Sequence, residues 1–294
     1  MKRASFLEHV AWTGAGIAYT LSAAGLASGR AVAGANGSVE FVQISDSHIG
    51  FHQAANPDVS ATLKAAVDAI NAMPSAPSFV VHTGDITHLS TPQQFDDARA
   101  ILSTLKAPLI ALPGEHDVIG NDFATYLSNF KIPNSTSGGW ASWNANGVHY
   151  IVLLNVFNFE KMGLMGADQL GWLATDLSSV AKTTPVVVFT HVPLYALFPQ
   201  WGWTTEDGSK ALALLQPFEH VTVLNGHIHQ IVTHQEGNIR FASADATAYP
   251  QPKPGSAPKP GPVTLPHDDL LRAIGYRTVQ IDGGNFRYED RPLG

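Results

Sequence analysis

Short runs of Val and Ile alternate with helical patterns along most of this chain, and the runs end repeatedly on a residue able to hold a metal ion. The runs are 39–45 (VEFVQIS), 78–83 (SFVVHT), 108–112 (PLIAL), 148–155 (VHYIVLLN), 185–190 (PVVVFT) and 220–225 (HVTVLN). They are too short for helices and too continuously apolar for half-exposed strands, so they read as buried strands. Helical patterns fall between them at about 56–72, 92–105, 122–130, 166–180 and 206–215, with Asp58 or Ser60 and the pair Thr91-Pro92 as start signals. This alternation implies an α/β fold with a mainly parallel sheet and right-handed crossovers. After Asn225 the runs tighten to 231–234, 239–243, 277–281 and 286–289, the spacing of hairpins, and predict an antiparallel extension. Tyr249 to Pro266 holds seven prolines and reads as a semi-rigid extended loop, not a second domain.

Composition removes several alternatives. With 45% apolar and 14% charged residues over 294 positions, the chain can bury a large core and is not a disordered or coiled-coil sequence. Lys and Arg number 17 against 24 Asp and Glu, a net charge of −7 with no block of like charge, which gives no support to a nucleic-acid-binding surface. The absence of cysteine excludes disulfides, thiolate ligands and Cys nucleophiles together. No G-x-S-x-G elbow and no GxxxxGK[ST] loop occurs, so a serine hydrolase or a P-loop enzyme is unsupported.

The 13 histidines then carry the argument. Ser45-Asp46-Ser47-His48 ends the first run, Gly84-Asp85-Ile86-Thr87-His88 the second and Pro113-Gly114-Glu115-His116-Asp117 the third. His191 follows the 185–190 run, and Gly226-His227-Ile228-His229 follows the 220–225 run. Carboxyl ends of neighbouring strands in an open α/β sheet converge on one crevice. One histidine after a strand is usually structural; five strand ends in register are hard to explain that way. Carboxylates and imidazoles without sulfur suit Zn, Mn, Fe or Ni and do not separate them.

This ordered set resembles the calcineurin-like metallophosphoesterase family, whose pattern is D-x-H, G-D, G-N-H-[DE], a lone H and G-H-x-H. The resemblance runs from Asp46 to His229. It implies two packed mixed sheets flanked by helices, an αββα sandwich, holding two metal ions bridged by an aspartate and a hydroxide. Carried over by position, Asp46, His48, Asp85 and His229 would hold the first metal. Asp85 as bridge, His191, His227 and the residue at the motif Asn, here Glu115, would hold the second. His116 matches the histidine that contacts the phosphoryl group and helps the leaving oxygen depart. Two adjacent cations lower the pKa of a shared water and offset charge in an in-line displacement, and a nearby imidazolium can donate to the leaving group.

Glu115 departs from the family pattern by adding a negative charge and one methylene. Two divalent ions against Asp46, Asp85 and Glu115 leave one positive charge where Asn would leave two, unless one ion is trivalent. The expected cofactors are therefore two ions from Fe, Mn and Zn, with Fe(III) beside a divalent partner as one solution; alternatively Glu115 swings out and the second site is weak. His88 reads as a support for the ligands or a substrate contact, or equally as a capping or solvent-facing residue. Asp117 would orient His116 or cap the next helix. His52, His82, His149, His220 and His234 read as structural or surface residues, and His267 with Asp268 and Asp269 as a candidate for the site mouth. Trp140, Trp143, Tyr195, Phe198, Trp201 and Trp203 read as loop packing, or else as a pocket for an apolar leaving group.

Residues 1–33 read as an export signal and 34–294 as a single domain. Lys2-Arg3 precedes an uncharged, mildly apolar stretch, and Ala31-Val32-Ala33 offers a small-x-small cleavage site. Lys2-Arg3 with Phe6-Leu7 resembles a twin-arginine signal but with the basic pair one position too far from Phe6, which leaves a Sec signal or an uncleaved anchor open. Export implies a periplasmic location, with no stable membrane span in the mature chain. The reading is a metal-dependent phosphoesterase acting on a small phosphorylated substrate, a diester ahead of a monoester; the branch it looks most like includes cyclic-nucleotide and glycerophosphodiester phosphodiesterases. The alternative is an inactive metal- or phosphate-binding protein of the same fold.

Overall fold

The computed structural model describes residues 40–119, 123–130, 132–156, 162–282 and 285–294. The export segment expected at residues 1–33 lies outside them. Phe41–Ile44 (β1), Phe79–His82 (β2) and Leu109–Ala111 (β3) pair in parallel. A second sheet is built from Ala141–Ala145 (β4), Val148–Val152 (β5), Val186–Phe189 (β6), Val221–Asn225 (β7), Thr233–Glu236 (β8) and Ile239–Ser243 (β9), in the order β4-β5-β6-β7-β9-β8. Its β5, β6, β7 and β9 are parallel, with β4 and β8 antiparallel at the two edges. The chain then returns to the first sheet. Gly275–Asp282 (β10) pairs antiparallel with β1 and with Asn285–Pro292 (β11), giving the order β11-β10-β1-β2-β3.

The strands thus form two mixed sheets, as the family resemblance implied, where the strand–helix alternation alone read as a mainly parallel sheet with an antiparallel extension. The reason lies in the faces of the strands. Phe41, Phe79, Val81, Tyr150, Val152, Val187 and Phe189 point into one apolar layer between the sheets. Their neighbours Val42, Ile44 and Val80 face outward to Val59–Asn71 (α1), Pro92–Leu102 (α2) and Phe123–Asn129 (α3). Ile151, Val186 and Val188 face Ala167–Ser178 (α4) and Gly208–Leu215 (α5). Strands apolar on both faces need cover on both, and the second sheet provides it. Asp58, not Ser60, caps α1 by accepting from Ala61 N at 3.0 Å, and Thr91 caps α2 with Pro92 in its first turn.

Two elements were not foreseen. The edge strand β4 (ASWNA) is half polar, and His267–Ala273 (α6) begins where a loop end was expected. Residues 249–266 hold no strand or helix, as the proline content predicted. No described helix is long and apolar enough to cross a membrane.

Phe41 locks the two sheets together: it is fully buried, stacks on Phe79 at 4.9 Å, and meets Tyr150 and Phe189 of the other sheet edge-on at 6.1 and 5.4 Å. Phe41→Ala is expected to cost about 3–5 kcal/mol of folding stability, the range for emptying a tightly packed aromatic site. Denaturant unfolding followed by circular dichroism measures it; a cost below about 1 kcal/mol would mean that the layer between the sheets is loosely packed.

Candidate metal centre

All five ligand-bearing turns meet at the carboxyl ends of the two sheets. The turns after β1 and β2 continue to pair beyond their strands, with Asp46 N donating to Gly84 O at 3.0 Å and His48 N to Asp85 O at 2.9 Å. The turn after β6 crosses between sheets, where His191 Nδ1 donates to Thr83 O at 2.7 Å. This crossing needs Gly84, at φ +97°, because a Cβ there would overlap the His191 ring. Gly114 is needed likewise, since its Cβ would overlap the Asp85 carboxylate. Asp46, His48, Asp85, His227 and His229 all have positive φ, between 44° and 68°. Side chains bearing a Cβ adopt this region at a cost, and residues held there cluster where surroundings impose a functional geometry.

The side chains form two fully buried groups, with a third, partly buried set of His48, His88 and His116 sharing His48 with the first. Asp46, His48 and His229 make the first, and Asp85, Glu115, His191 and His227 the second. In the first, His48 Nε2 lies 3.1 Å from His229 Nε2, and His229 Nε2 lies 3.4 Å from Asp46 Oδ1. In the second, Glu115 Oε2 lies 2.8 Å from His191 Nε2 and Oε1 lies 2.9 Å from His227 Nδ1. Asp85 stands between them: one oxygen, Oδ2, is 3.6 Å from His48 Nε2 and 3.5 Å from His191 Nε2. The other, Oδ1, accepts from His116 N at 2.9 Å.

Backbone atoms orient these side chains. His229 Nδ1 donates to Tyr249 O at 2.6 Å and His191 Nδ1 to Thr83 O at 2.7 Å, so each ring turns a bare Nε2 lone pair toward the centre. Asp46 accepts from His227 N at 3.1 Å on both oxygens, and from the Ser45 hydroxyl. A cation fits the second group on an observation independent of motif. Buried Glu115 Oε2, His191 Nε2 and both ring nitrogens of His227 have no hydrogen-bond partner, although the carboxylate is within 3 Å of both rings. Buried polar atoms crowded together without partners mark a point that a cation would satisfy.

The electrostatics favour a cation as well. Burial opposes ionisation of Glu115, but His227 and His191 outweigh it and hold its carboxyl well below the usual range. Burial likewise resists charge on His191, yet Asp85 and Glu115 raise its pKa well above the ordinary histidine value. Burial, reinforced by the neighbouring His116, His229 and His88, keeps His48 neutral well below its usual pKa. His116 sits partly buried beside the two groups. Despite burial, Asp85, Glu115 and the His88 carbonyl raise its pKa, and Nδ1 donates to His88 O at 2.8 Å.

Several sequence expectations change here. Asp117 accepts from Gly114 N, Ile86 N and Thr87 N at 3.0, 3.0 and 2.7 Å and from Thr87 Oγ1 at 2.9 Å, clamping the Asp85 turn to the Glu115 turn, and its charge adds to those that raise the His116 pKa. His267 is exposed at the start of α6 and belongs to none of the ligand groups. Trp201 and Trp203 are buried against Ile228 and Val232, which is loop packing behind the His227–His229 turn. His82 bonds Ser47 Oγ, His149 bonds Asp176, and His234 bonds Glu236, structural roles as expected. Tyr249 was missed. Its carbonyl orients His229 and its ring stacks on His48 at 5.1 Å. The contribution is partly backbone, for which sequence holds no signature.

Comparison with known proteins agrees with this geometry. Relatives include a glycerophosphodiester phosphodiesterase of Enterobacter lignolyticus, 26% identical over 203 residues (66% of this chain, 71% of that protein). A 3′,5′-cyclic-nucleotide phosphodiesterase of a Nostoc species is 26% identical over 171 residues, 57% of this chain and 61% of its own. Purple acid phosphatase 15 of Arabidopsis thaliana is 31% identical over 137 residues, 43% of this chain but only 25% of that longer protein. A dimetal phosphatase from Danio rerio shares the fold with a TM-score of 0.68 at 14% identity, covering 88% of this chain and 98% of that one. The family model described as calcineurin-like phosphoesterase matches residues 39–231, a span that carries every turn of the two ligand groups, and the chain belongs to that family.

Proposed function

We propose that the chain is a dinuclear metal-dependent phosphoesterase that hydrolyses a small phosphodiester, or a phosphomonoester. The observation carrying this reading is the Oδ2 atom of Asp85, which faces His48 and His191 at nearly equal distances and so would be shared by two cations. Asp46, His48, Asp85 and His229 would hold one ion, and Asp85, Glu115, His191 and His227 the other. Such a pair supplies an activated water and a positive seat for phosphoryl oxygens. The chain's own part in the chemistry falls to His116. Its Nδ1 is committed to the His88 carbonyl, its charge is favoured by Asp85 and Glu115, and the proton on its remaining nitrogen goes to the leaving oxygen. Diesterase-named relatives support the diester over the monoester. The three carboxylates favour a pair containing a trivalent ion, Fe(III) with Zn, Mn or Fe(II).

Glu115 also supports a second reading, a metal- or phosphate-binding protein without turnover, because it lowers the charge that would hold phosphate. Hydrolysis of bis(p-nitrophenyl) phosphate and of p-nitrophenyl phosphate, with Mn, Zn, Fe and Ni added back singly and in pairs, separates the three outcomes. Turnover of the diester substrate is expected; metal binding without turnover of either would establish the second reading.

We further propose that residues 1–33 direct export. Protein purified from its native host should begin at or near Gly34 and lie outside the cytoplasm. Intact Met1 in the soluble cytoplasm would overturn this, and intact Met1 in membranes would identify an anchor.

A further inference from the structure

A cation in the first ligand group needs the Nε2 lone pair of His48, so the ring proton must sit on Nδ1 and find an acceptor. His229 and His191 solve this with Tyr249 O and Thr83 O, carbonyl oxygens that can only accept. His48 has a different partner. Its Nδ1 lies 3.4 Å from Nδ1 of His88, a second imidazole. An imidazole nitrogen accepts only while it carries no proton, so the tautomer of His48 depends on that of His88.

His88 is held for this task from several sides. Its backbone N donates to Ile49 O at 2.9 Å, and its carbonyl accepts from His116 Nδ1 at 2.8 Å. Its ring lies nearly parallel to that of His116, at 5.1 Å and 13°, with Phe51 edge-on at 5.3 Å. One residue therefore reaches two histidines with different atoms, its carbonyl orienting His116 and its ring meeting His48.

We propose that His88 is a positioning residue of the centre: its bare Nδ1 accepts the Nδ1 proton of His48 and so holds His48 in the tautomer that turns a lone pair toward Asp85 and His229. This rests on the reading of those residues as metal ligands. His88 itself carries its proton on Nε2, neutral, and touches no cation. The distinguishing property is acceptance at the Nδ1 position. Asn places a carbonyl oxygen where Nδ1 was, Leu fills the same volume with nothing to accept, and Ala removes both.

The test is equilibrium dialysis of Mn(II) against metal-free wild-type, His88→Asn, His88→Leu and His88→Ala proteins, with far-UV circular dichroism of each. Wild type should bind two ions per chain. His88→Leu and His88→Ala should bind one of them roughly 10- to 100-fold more weakly, the effect of losing the partner of a ligating histidine, and the other unchanged. His88→Asn should restore the weakened ion to within about threefold of wild type, which a merely space-filling role would not do. Fewer than two ions on wild type, both with Mn(II) alone and with Fe(III) supplied beside it, would overturn the dinuclear reading itself. Two ions on wild type with equal affinities in His88→Leu, or with Asn and Leu equally impaired, would overturn the role of His88 alone.

Discussion

Asp85→Asn is expected to abolish hydrolysis, by on the order of a thousandfold or more in kcat/KM, equivalent to at least about 4 kcal/mol. It should also release metal from both positions, not one. The two oxygens of Asp85 are already assigned: Oδ1 accepts from His116 N at 2.9 Å, and Oδ2 faces His48 and His191 at 3.6 and 3.5 Å. An amide has one acceptor to place. With its oxygen at Oδ1, the NH2 group points at both ligand groups and offers protons where lone pairs are needed; with its oxygen at Oδ2, the NH2 group meets the His116 N–H. Neither orientation satisfies both sides, and a unit of negative charge is lost from a buried site. Metal analysis beside steady-state kinetics decides this. An Asp85→Asn protein holding two ions with undiminished turnover would show that Asp85 bridges nothing.

Glu115→Asn should change which ions the centre keeps and how tightly it holds phosphate. The Glu115 carboxylate lies within 3 Å of His191 and His227, is buried, and stays ionised. One charge at about 4 Å is worth roughly 4 kcal/mol at an effective dielectric near 20, before competing ions and waters reduce it. Removing it should tighten inhibition by inorganic phosphate about 10- to 100-fold, within that bound. The same change should lower retention of Fe(III) relative to divalent ions, since a trivalent cation loses more from the missing carboxylate. Iron content after dialysis and the phosphate inhibition constant, measured on both proteins, test the two halves separately. If neither moves, Glu115 is not a ligand and the centre's charge is set by Asp46 and Asp85.

The candidate ligand set was legible because each member follows an apolar run directly. Asp46 and His48 come after VEFVQIS, Asp85 after SFVVHT, and His227 and His229 after HVTVLN, and the structure brings these ends together. Asp117 was legible as a residue and not as a role, because its partners Ile86, Thr87 and Gly114 contribute mostly backbone N–H groups from another turn. Tyr249 was invisible for a similar reason, acting on His229 through a carbonyl. His88 stood out only as a histidine three positions after Asp85; its contact with the His48 ring depends on how two turns are stacked.

The amino-acid sequence by itself determined the buried apolar strands, the helix start at Thr91, and the residue types gathered at the candidate centre, because those follow from side-chain patterns a few residues long. The partition of the strands between two sheets was decided only by the tertiary structure. Phe41 and Val42 are both apolar, and nothing local says that the first faces Phe189 while the second faces α1. The same holds for the sharing of one Asp85 oxygen, for the tautomers of His191 and His229, and for the positive φ of the five ligand residues. Each is set by backbone groups and packing from segments distant in the chain, and a carbonyl oxygen is identical at every position until the fold places it.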